Sequence, residues 1–482
     1  MKTTIQKGSF LVGVLIFTFI ATLTISAFVS WGVSSSKLAH RVENRETALQ
    51  IAEAGIEYAR WYLAHYQSGY NLGNAGGGPY TYDFKNKDGV VVGTYTLTVT
   101  PPPSGSTIVK IKSTGVPSND VSVSRSILVS LAIPSFAKYA VVANADMRFG
   151  EGTTIYGPIH SNGGIRFDGV AYNKVTSAKT SYDDPDHTGG SEFGVHTHVN
   201  APPSSGVNNT YRSQEASPSA VQTRSDVFKA GREFPVPAAD FSAITADLAS
   251  IKSKAQASGK YIAASGSQGY QIILKTNDTF DLYKVTKQVS VNGSCNNPNN
   301  ETGWDSWTIN NKTLVGNYPI PSNGLIFVED NVWVEGQINT ARVTIAAAAF
   351  PDNVNTRKNI LITSDLKYTN YDGTDVIALI AQNNITTGMN SDTNLQVDAA
   401  LVAQNGRIGR FYYSCFPYDT RDTITLNGIL ATNGRYGFAY TDGTGYQNRI
   451  INYDTNLLYA PPPNFPLASD KYQIISWEEL EK

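Results

Sequence analysis

The chain has 482 residues, so we expect two or three folding units rather than one. Its formal net charge of −2 lacks the basic excess that is typical of nucleic-acid-binding proteins. Charged residues make up only 16% of the chain, whereas glycine (41) and tyrosine (27) are abundant. This composition favours a turn-rich and β-rich secreted protein over a cytosolic helical enzyme.

The N-terminal segment predicts a membrane span. A basic leader, residues 1–8, contains Lys2 and Lys7 and precedes an uncharged stretch, residues 9–33. As a helix this stretch is about 37 Å long, enough to cross a bilayer with some tilt. It is too long for an ordinary signal-peptide core, and no Ala-x-Ala cleavage site follows it. The leader lysines predict a cytoplasmic N-terminus with the rest of the chain outside.

The helical pattern continues over residues 34–67. Its apolar positions are spaced alternately by three and four residues, which predicts one buried stripe on a continuing helix. The stripe consists of Leu38, Val42, Leu49, Ala52, Ile56, Ala59 and Leu63, with Arg45 as its one polar member. A plain membrane anchor with a helical stalk would also produce this pattern.

Three motifs favour a more specific interpretation. The leader ends in Lys7-Gly8, the apolar run opens with SFLVG (residues 9–13), and the stalk contains ALQIAEAGIEYA (residues 48–59). Together these motifs resemble the PilX-type minor pilins of type IV pilus and type II secretion-like systems. The resemblance implies that a prepilin peptidase cleaves between Gly8 and Ser9 and that the new N-terminus is methylated. It also implies that other pilins and the pilus assembly machinery are partners.

Gly13 is a departure from the pilin pattern. Most pilins have glutamate at this fifth mature position, where it is thought to pair with the N-terminal amine of a neighbouring subunit. An acid in lipid needs such a partner. Its absence fits a pilin at the filament tip, which has no subunit above it, and many PilX-type proteins also lack it. We therefore expect a minor subunit, held in the inner or cytoplasmic membrane by one span before assembly and on the cell surface or pilus afterwards. Pilus and secretion pseudopilus both remain open.

The rest of the chain predicts mainly β structure, so the expected fold class is α+β. Alternating residues over 75–134 predict a small antiparallel sheet that completes a pilin module with the helix. Residues 141–482 contain short β runs, most of them ended by Asn or Gly, and predict an irregular parallel β-helix, with a β-sandwich as the alternative. Within this body we expect a surface insertion over 172–234 and a helix over 239–258. The tail, with PPPNFP and YQIISWEE, also resembles the ends of large PilX-type proteins.

Candidate metal ligands lie in the predicted insertion. His196 and His198 are two residues apart, so a strand would place both rings on one face. Two imidazoles and a carboxylate can hold a transition metal, and a polar surface loop is the alternative interpretation. The polar residues just upstream are Asp183, Asp184, Asp186 and His187.

Other groups of polar and aromatic residues allow two interpretations each. Residues 370–375 and 183–186 supply closely spaced oxygens of the kind that Ca²⁺ binds, but tight turns use the same residues. The aromatic residues at 411–418, with Trp304 and Trp307, stack on sugars if they are exposed and form core if they are buried.

The cysteine count excludes a disulfide scaffold. The chain has two cysteines, Cys295 and Cys415. They form one disulfide in an extracytoplasmic body or are two unrelated thiols, and sequence alone leaves both readings open.

The sequence carries no hydrolase elbow, phosphate loop, zinc-protease helix or EF-hand loop. We therefore expect a structural minor pilin, not an enzyme, with no cofactor and with the lipid bilayer among its partners. One alternative is a surface adhesin or carbohydrate-binding module on a pilin anchor, with a glycan or protein ligand. Another is a tethered β-helix enzyme acting on polysaccharide, for which the acid and base candidates are Asp365, Lys367, Arg407 and Arg410.

Overall fold

The computed structural model describes residues 7–66, 68–102, 106–241, 248–291, 295–467 and 471–480. The chain divides into two compact units. The small unit comprises residues 1–101, 109–132 and 472–482, and the large unit comprises residues 102–108 and 133–471. Residues 1–6 of the predicted leader lie outside the described residues.

The regular elements are as follows. The helices are α1 (Lys7–His65) and α2 (Leu248–Ser258), with short 3-10 turns at Phe136–Lys138, Ser213–Glu215 and Thr455–Leu458. The strands are β1 (Tyr80–Lys85), β2 (Val91–Thr100), β3 (Val109–Pro117), β4 (Arg125–Ala132), β5 (Val141–Ala143), β6 (Met147–Phe149), β7 (Thr153–Tyr156), β8 (Ile159–Ser161), β9 (Ile165–Phe167), β10 (Val170–Ala171), β11 (Val175–Ser177), β12 (Ser181–Tyr182), β13 (Glu192–Phe193), β14 (Val195–His196), β15 (Arg232–Glu233), β16 (Lys260–Ile262), β17 (Gly269–Lys275), β18 (Thr279–Gln288), β19 (Ile309–Pro319), β20 (Leu325–Val328), β21 (Val332–Gln337), β22 (Arg342–Ala347), β23 (Ile360–Leu361), β24 (Leu366–Lys367), β25 (Val376–Ala381), β26 (Ile385–Thr387), β27 (Asn394–Ala403), β28 (Ile408–Arg410), β29 (Thr420–Thr432), β30 (Gly445–Tyr453) and β31 (Gln473–Leu480).

The small unit is an antiparallel sheet packed against the second half of α1. Its strand order is β1-β2-β3-β4-β31. The helix side chains that the sheet buries are Ala48, Ile51, Ala52, Ile56, Ala59 and Leu63. The large unit is rich in β structure, so the predicted fold class, mainly β with a long N-terminal helix and a small antiparallel sheet, is confirmed.

The buried stripe on α1 starts later than the sequence pattern predicts. Leu38 and Val42 are 64% and 54% exposed, so the prediction was wrong for these two residues. Burial begins at Asn44, whose side chain accepts a hydrogen bond from the Asn119 amide at 2.9 Å. Asn119 lies in the loop that joins β3 to β4, so this loop marks the end of the docked segment of the helix.

Glycines let the helix approach the sheet closely. A Cβ atom on Gly115 of β3 would lie 2.1 Å from the Ala48 carbonyl oxygen, and one on Gly93 of β2 would lie 2.4 Å from the Ile51 side chain. On the helix side, a Cβ atom on Gly55 would lie 2.4 Å from the Ser113 hydroxyl oxygen. The helix backbone beside Gly115 cannot rotate away, so the helix–sheet spacing depends most on this small residue.

The C-terminal strand belongs to the small sheet and not to the body in which the sequence analysis placed it. β31 pairs antiparallel with β4, from Gln473 opposite Ala132 to Leu480 opposite Ser126. An ion pair between Arg125 and Glu479 adds to the ladder. Without β31, the outer edge of β4 would expose unpaired backbone N–H and C=O groups. The large unit is therefore an insertion between the last two strands of the small sheet.

Most strands of the large unit are stacked in parallel ladders, and β18 and β19 add antiparallel pairs beside β17. One ladder runs through β16, β20, β22, β25, β27, β29, β5, β8, β11 and β15, and every neighbouring pair in it is parallel. A second ladder runs through β17, β21, β23, β26 and β28. A third runs through β24, β27, β29, β30, β7 and β10. The long strands β27 and β29 each take part in two ladders.

The first ladder is buried on both faces. In β25, Ile377 and Leu379 point into the main core, while Ala378 and Ile380 point to the other side. That outer side is covered by α2 through Leu248, Ile251 and Ala255. Because both faces are covered, β25 is a continuous apolar run without alternation.

Asparagines stack at the corners between the ladders. The Asn383 amide donates to the Asn359 side-chain oxygen at 3.0 Å, and Asn359 donates to Asn331 at 3.4 Å. On another corner the Asn452 amide donates to Asn427 at 2.7 Å. These hydrogen bonds join the turn side chains of successive strand layers, which explains why the short β runs so often end in Asn.

Two predicted segments of the body differ in part from the structure. Residues 172–234 are not wholly a surface insertion, because Val175, Val195 and Phe228 lie in the main core and β11 is part of the first ladder. For the helix predicted over 239–258, the structure gives α2 from Leu248 to Ser258. Residues 242–247 of that prediction lie outside the described residues.

We predict that Gly115→Ala weakens the contact between α1 and the sheet. The added methyl would overlap the backbone of α1, which should cost about 1–3 kcal/mol. Amide hydrogen exchange of β2–β4 in the detergent-solubilised full chain measures this loss. Gly77→Ala is the matched control, since a Cβ atom there meets nothing within 4 Å. Equal exchange in the two variants would contradict the close-packing interpretation.

Candidate functional site

A buried group of histidine and carboxylate side chains lies in residues 181–198. β12 and β13 pair antiparallel, with Tyr182 opposite Glu192, and the turn between them carries Asp184 and His187. β14 pairs parallel with β9, which places His196 beside Arg166. His198 follows two residues later, and its backbone N–H donates to the Asp168 carboxylate at 2.8 Å.

The side chains of this histidine–carboxylate cluster meet at one carboxylate oxygen, Oε2 of Glu192. The Nε2 atoms of His187, His196 and His198 lie 3.0, 3.1 and 3.2 Å from it. Oδ2 of Asp184 lies 3.6 Å from the His187 Nε2 atom and 3.7 Å from that of His196. None of these five side chains is more than 3% exposed.

The surroundings keep both carboxylates ionised. Burial alone would raise the pKa of Asp184, but the nearby His196 ring, the hydrogen bond from the Asp186 backbone N–H and the charge of Arg166 hold that pKa below its usual range. Burial is likewise outweighed at Glu192, where His196 and His198 and the Arg212 backbone N–H lower the pKa. Two negative charges therefore face the three imidazoles.

The structure brings together three of the four predicted metal ligands. Asp184, His196 and His198 lie in the cluster, whereas Asp186 forms ion pairs with Arg148 and Arg435 instead. Glu192, which the sequence analysis did not name, takes the place of Asp186. A signal was present, because the even spacing of residues 192, 196 and 198 is the pattern that an extended chain places on one face.

Residues 370–375 form a turn. The Asp372 carboxylate accepts the Thr374 N–H and hydroxyl, and the Asp375 carboxylate accepts the backbone N–H groups of Thr369, Asn370 and Ala341. These oxygens are engaged by local donors, as the turn interpretation requires.

The two cysteines are joined in the body. Cys295 and Cys415 form a disulfide with Cα atoms 4.8 Å apart. The disulfide lies in a buried cluster with Trp307, Trp333 and Tyr413. Of the aromatic residues singled out in the sequence, Trp307, Phe411 and Tyr413 are thus core, and Trp304 and Tyr418 are partly buried against them. Phe416, in contrast, is 88% exposed.

The acid and base candidates for a polysaccharide enzyme take part in separate ion pairs and hydrogen bonds. Lys367 forms an ion pair with Asp365 at 2.7 Å, and Arg407 forms one with Glu301 at 2.7 Å. Arg410 is buried and donates to the backbone carbonyls of Gly388, Met389 and Tyr418. Arg410 thus links the chain after β26 to the loop before β29.

The first half of α1 is exposed and apolar. Exposure runs from Phe10 to Glu43, interrupted only by half-buried Ala21, and Phe17 and Trp31 are 73% and 71% exposed. The hydroxyls of its threonines donate to carbonyls one turn back, as Thr22 does to Thr18 at 2.7 Å. By length and composition this helix is able to cross a membrane. A Cβ atom at Gly13 would meet nothing within 4 Å.

Comparisons with known proteins find a likeness among solved structures. No protein-family model matches the chain, and no curated protein matches it. The chain is similar to the competence-associated pilin ComZ from Thermus thermophilus, at 13% sequence identity. The match covers 91% of this chain and 97% of that one, with a TM-score of 0.30. At that score the likeness carries no argument here.

We predict that the disulfide stabilises the body. It closes a loop with a sequence separation of 120 residues, and removing such a bond typically costs about 2–5 kcal/mol. The double variant Cys295→Ala/Cys415→Ala should unfold at lower denaturant concentration than the oxidised full chain. Dithiothreitol should lower the wild-type midpoint and leave that of the double variant unchanged. A wild-type midpoint that is insensitive to reduction would contradict the prediction.

Proposed function

We propose that the chain is a minor pilin or pseudopilin-like component of a type IV pilus or type II secretion-like filament. In this proposal it sits at or near the filament tip and displays a large β-helix-like body outside the cell. The observation that carries the proposal is the division of α1 into an exposed apolar half and a half that forms the core of a small domain.

This division distinguishes the proposal from a plain anchor with a stalk. A stalk helix would carry its domain beyond its own end. Here the second half of α1 is packed under β2, β3 and β4, with Ala48, Ala52 and Ile56 buried. A membrane span that continues without a break into a domain core holds the domain at a fixed distance from the bilayer, as assembly into a helical filament requires.

The first half of α1 supports insertion in lipid before assembly. Its side chains are apolar, and the threonine hydroxyls are bonded within the helix, so few polar groups face the hydrocarbon. Leu38 and Val42 extend the exposed apolar surface past residue 33. In a filament this surface would pack against the helices of other pilins.

Two features support a terminal position. The exposed stretch from Phe10 to Ser36 contains no acidic residue, and Gly13 stands where a glutamate would pair with the amine of a neighbouring subunit. A subunit without this carboxylate lacks that contact to a subunit above it. The large inserted body, residues 133–471, would also be hard to repeat along a filament.

We predict that the mature protein begins at Ser9. Prepilin peptidase should remove residues 1–8, and Gly8→Glu should abolish cleavage because the residue before the cut would no longer be small. Intact-mass spectrometry of the protein purified from membranes measures the loss of the leader and the methylation of the new amine.

Gly32→Ala is the matched control, since it alters a glycine in the same helix with open space around it. It should be processed like the wild type. A wild-type chain that retains Met1 to Gly8, or a Gly8→Glu chain with wild-type mass loss, would contradict the proposal.

A further inference from the structure

We propose that Asp184, Glu192, His196 and His198, with His187 beside them, form a closed structural site for a divalent transition metal, with Zn²⁺ as the best fit. The site belongs to the body and is independent of the proposed pilin function. Its geometry and the hydrogen bonds around it give the argument.

The tautomers of the histidines point to a metal. Nδ1 of His198 lies 2.6 Å from the Asn208 carbonyl oxygen, and Nδ1 of His196 lies 3.2 Å from that of Phe193. A carbonyl oxygen only accepts, so each Nδ1 carries the proton. His187 has the same arrangement, with Nδ1 3.4 Å from the Thr188 carbonyl oxygen. The Nε2 atoms of His187 and His198 also lie at hydrogen-bond distance from the Glu192 carboxylate, so each of these rings is either an imidazolium or a neutral ring whose Nε2 lone pair faces the carboxylate across a metal ion.

With neutral rings, the centre of the cluster gathers acceptors. Three Nε2 lone pairs and two carboxylates converge there, and such groups repel one another when nothing positive lies between them. Nε2 of His196 is fully buried and has no hydrogen-bond partner among the described residues. Three buried imidazolium rings are the alternative, but they would bring three positive charges together, because the ring centroids of His198 lie 4.9 and 5.1 Å from those of His187 and His196.

The spacing of the ligand atoms fits a metal coordination shell. Zn–N and Zn–O bonds of about 2.0–2.1 Å place neighbouring ligand atoms of a tetrahedral site roughly 3.3 Å apart. The distances from the three Nε2 atoms to Glu192 are 3.0–3.2 Å, and those from His187 and His196 to Asp184 are 3.6 and 3.7 Å. An ion at the centre would reach these atoms with small shifts.

The donor set selects the class of metal. Imidazole nitrogens favour Zn²⁺ and its transition-metal neighbours, whereas Ca²⁺ and Mg²⁺ prefer shells made of oxygen. The two carboxylates would neutralise a divalent ion. Every ligand is buried, so the site matches a structural centre more closely than a catalytic one, which keeps an open position.

Outer hydrogen bonds hold the ligands in place. The second Glu192 oxygen, Oε1, accepts the Arg212 backbone N–H at 2.7 Å. Oδ1 of Asp184 accepts the Asp186 N–H at 3.0 Å, and Arg166 donates to Asp168, which in turn accepts the His198 N–H. Such supporting bonds orient ligands in known metal sites. The metal would fasten a segment whose strands, β12, β13 and β14, are only two residues long.

Metal content of the full chain tests the proposal. The detergent-solubilised protein, stripped with a chelator and refilled with Zn²⁺ alone, should retain one equivalent after gel filtration by elemental mass spectrometry. His196→Ala and Glu192→Gln should each weaken Zn²⁺ binding at least tenfold. His65→Ala is the matched control, since His65 is exposed on α1, and it should bind as the wild type does.

A second measurement needs no variant. Co²⁺ added to the stripped wild-type chain should give the visible absorption bands of a four- or five-coordinate site, and Zn²⁺ should abolish them. The proposal is overturned if the wild type retains no Zn²⁺ and shows no Co²⁺ bands. It is also overturned if a folded His196→Ala chain retains as much Zn²⁺ as the wild type.

Discussion

The packing of α1 against the small sheet is the contact on which the rest of the structure depends. Gly93 and Gly115 bring the sheet close enough to bury Ala48, Ile51 and Ala52 of the helix. One helix thereby serves as an exposed apolar span and as a domain core. The same sheet accommodates the insertion, because Ala132 and Gln473, at the two ends of the inserted segment, are paired neighbours on β4 and β31. A large body can enter there without breaking a ladder.

Within the body, stacked parallel strands stabilise most of the structure, and local ion pairs and hydrogen bonds stabilise the segment where strands do not stack. The parallel ladders bury aliphatic side chains on one or both faces, and asparagines satisfy the corners. Residues 181–198 have short strands and few ladder bonds. There the structure relies on buried charge, with Arg166 between Asp168 and Asp184, and on the histidine–carboxylate cluster. A bound metal ion would stabilise this segment, which has few ladder hydrogen bonds.

The local sequence pattern predicted the helices and strands well, but it could not predict contacts between segments that are distant in sequence. The spacing of Ala52, Ile56 and Ala59 revealed the docked helix, but nothing in the sequence marks where the sheet ends, so Leu38 and Val42 were assigned to the buried stripe. The side chains of β31 do not alternate clearly between polar and apolar, and most of them are exposed. Nothing in its local sequence therefore indicated that it pairs with β4, from which the inserted body separates it in sequence. The sequence indicated the cluster only in part: His196 and His198 form a motif, and Glu192 shares their even spacing, but the β12–β13 pairing that places Glu192 beside Asp184 and His187 joins segments that no motif links.

Site-specific photo-crosslinking from Val42 tests the central claim most directly. Val42 is 54% exposed on α1 beyond the predicted span, where a pilin helix would contact its neighbours in a filament. A crosslinking residue placed there, in cells that assemble the filament, should yield an adduct with another pilin, while one at exposed Lys229 of the body should not. Adducts from Val42 only to lipid or within the chain, in cells with assembled filaments, would contradict the account.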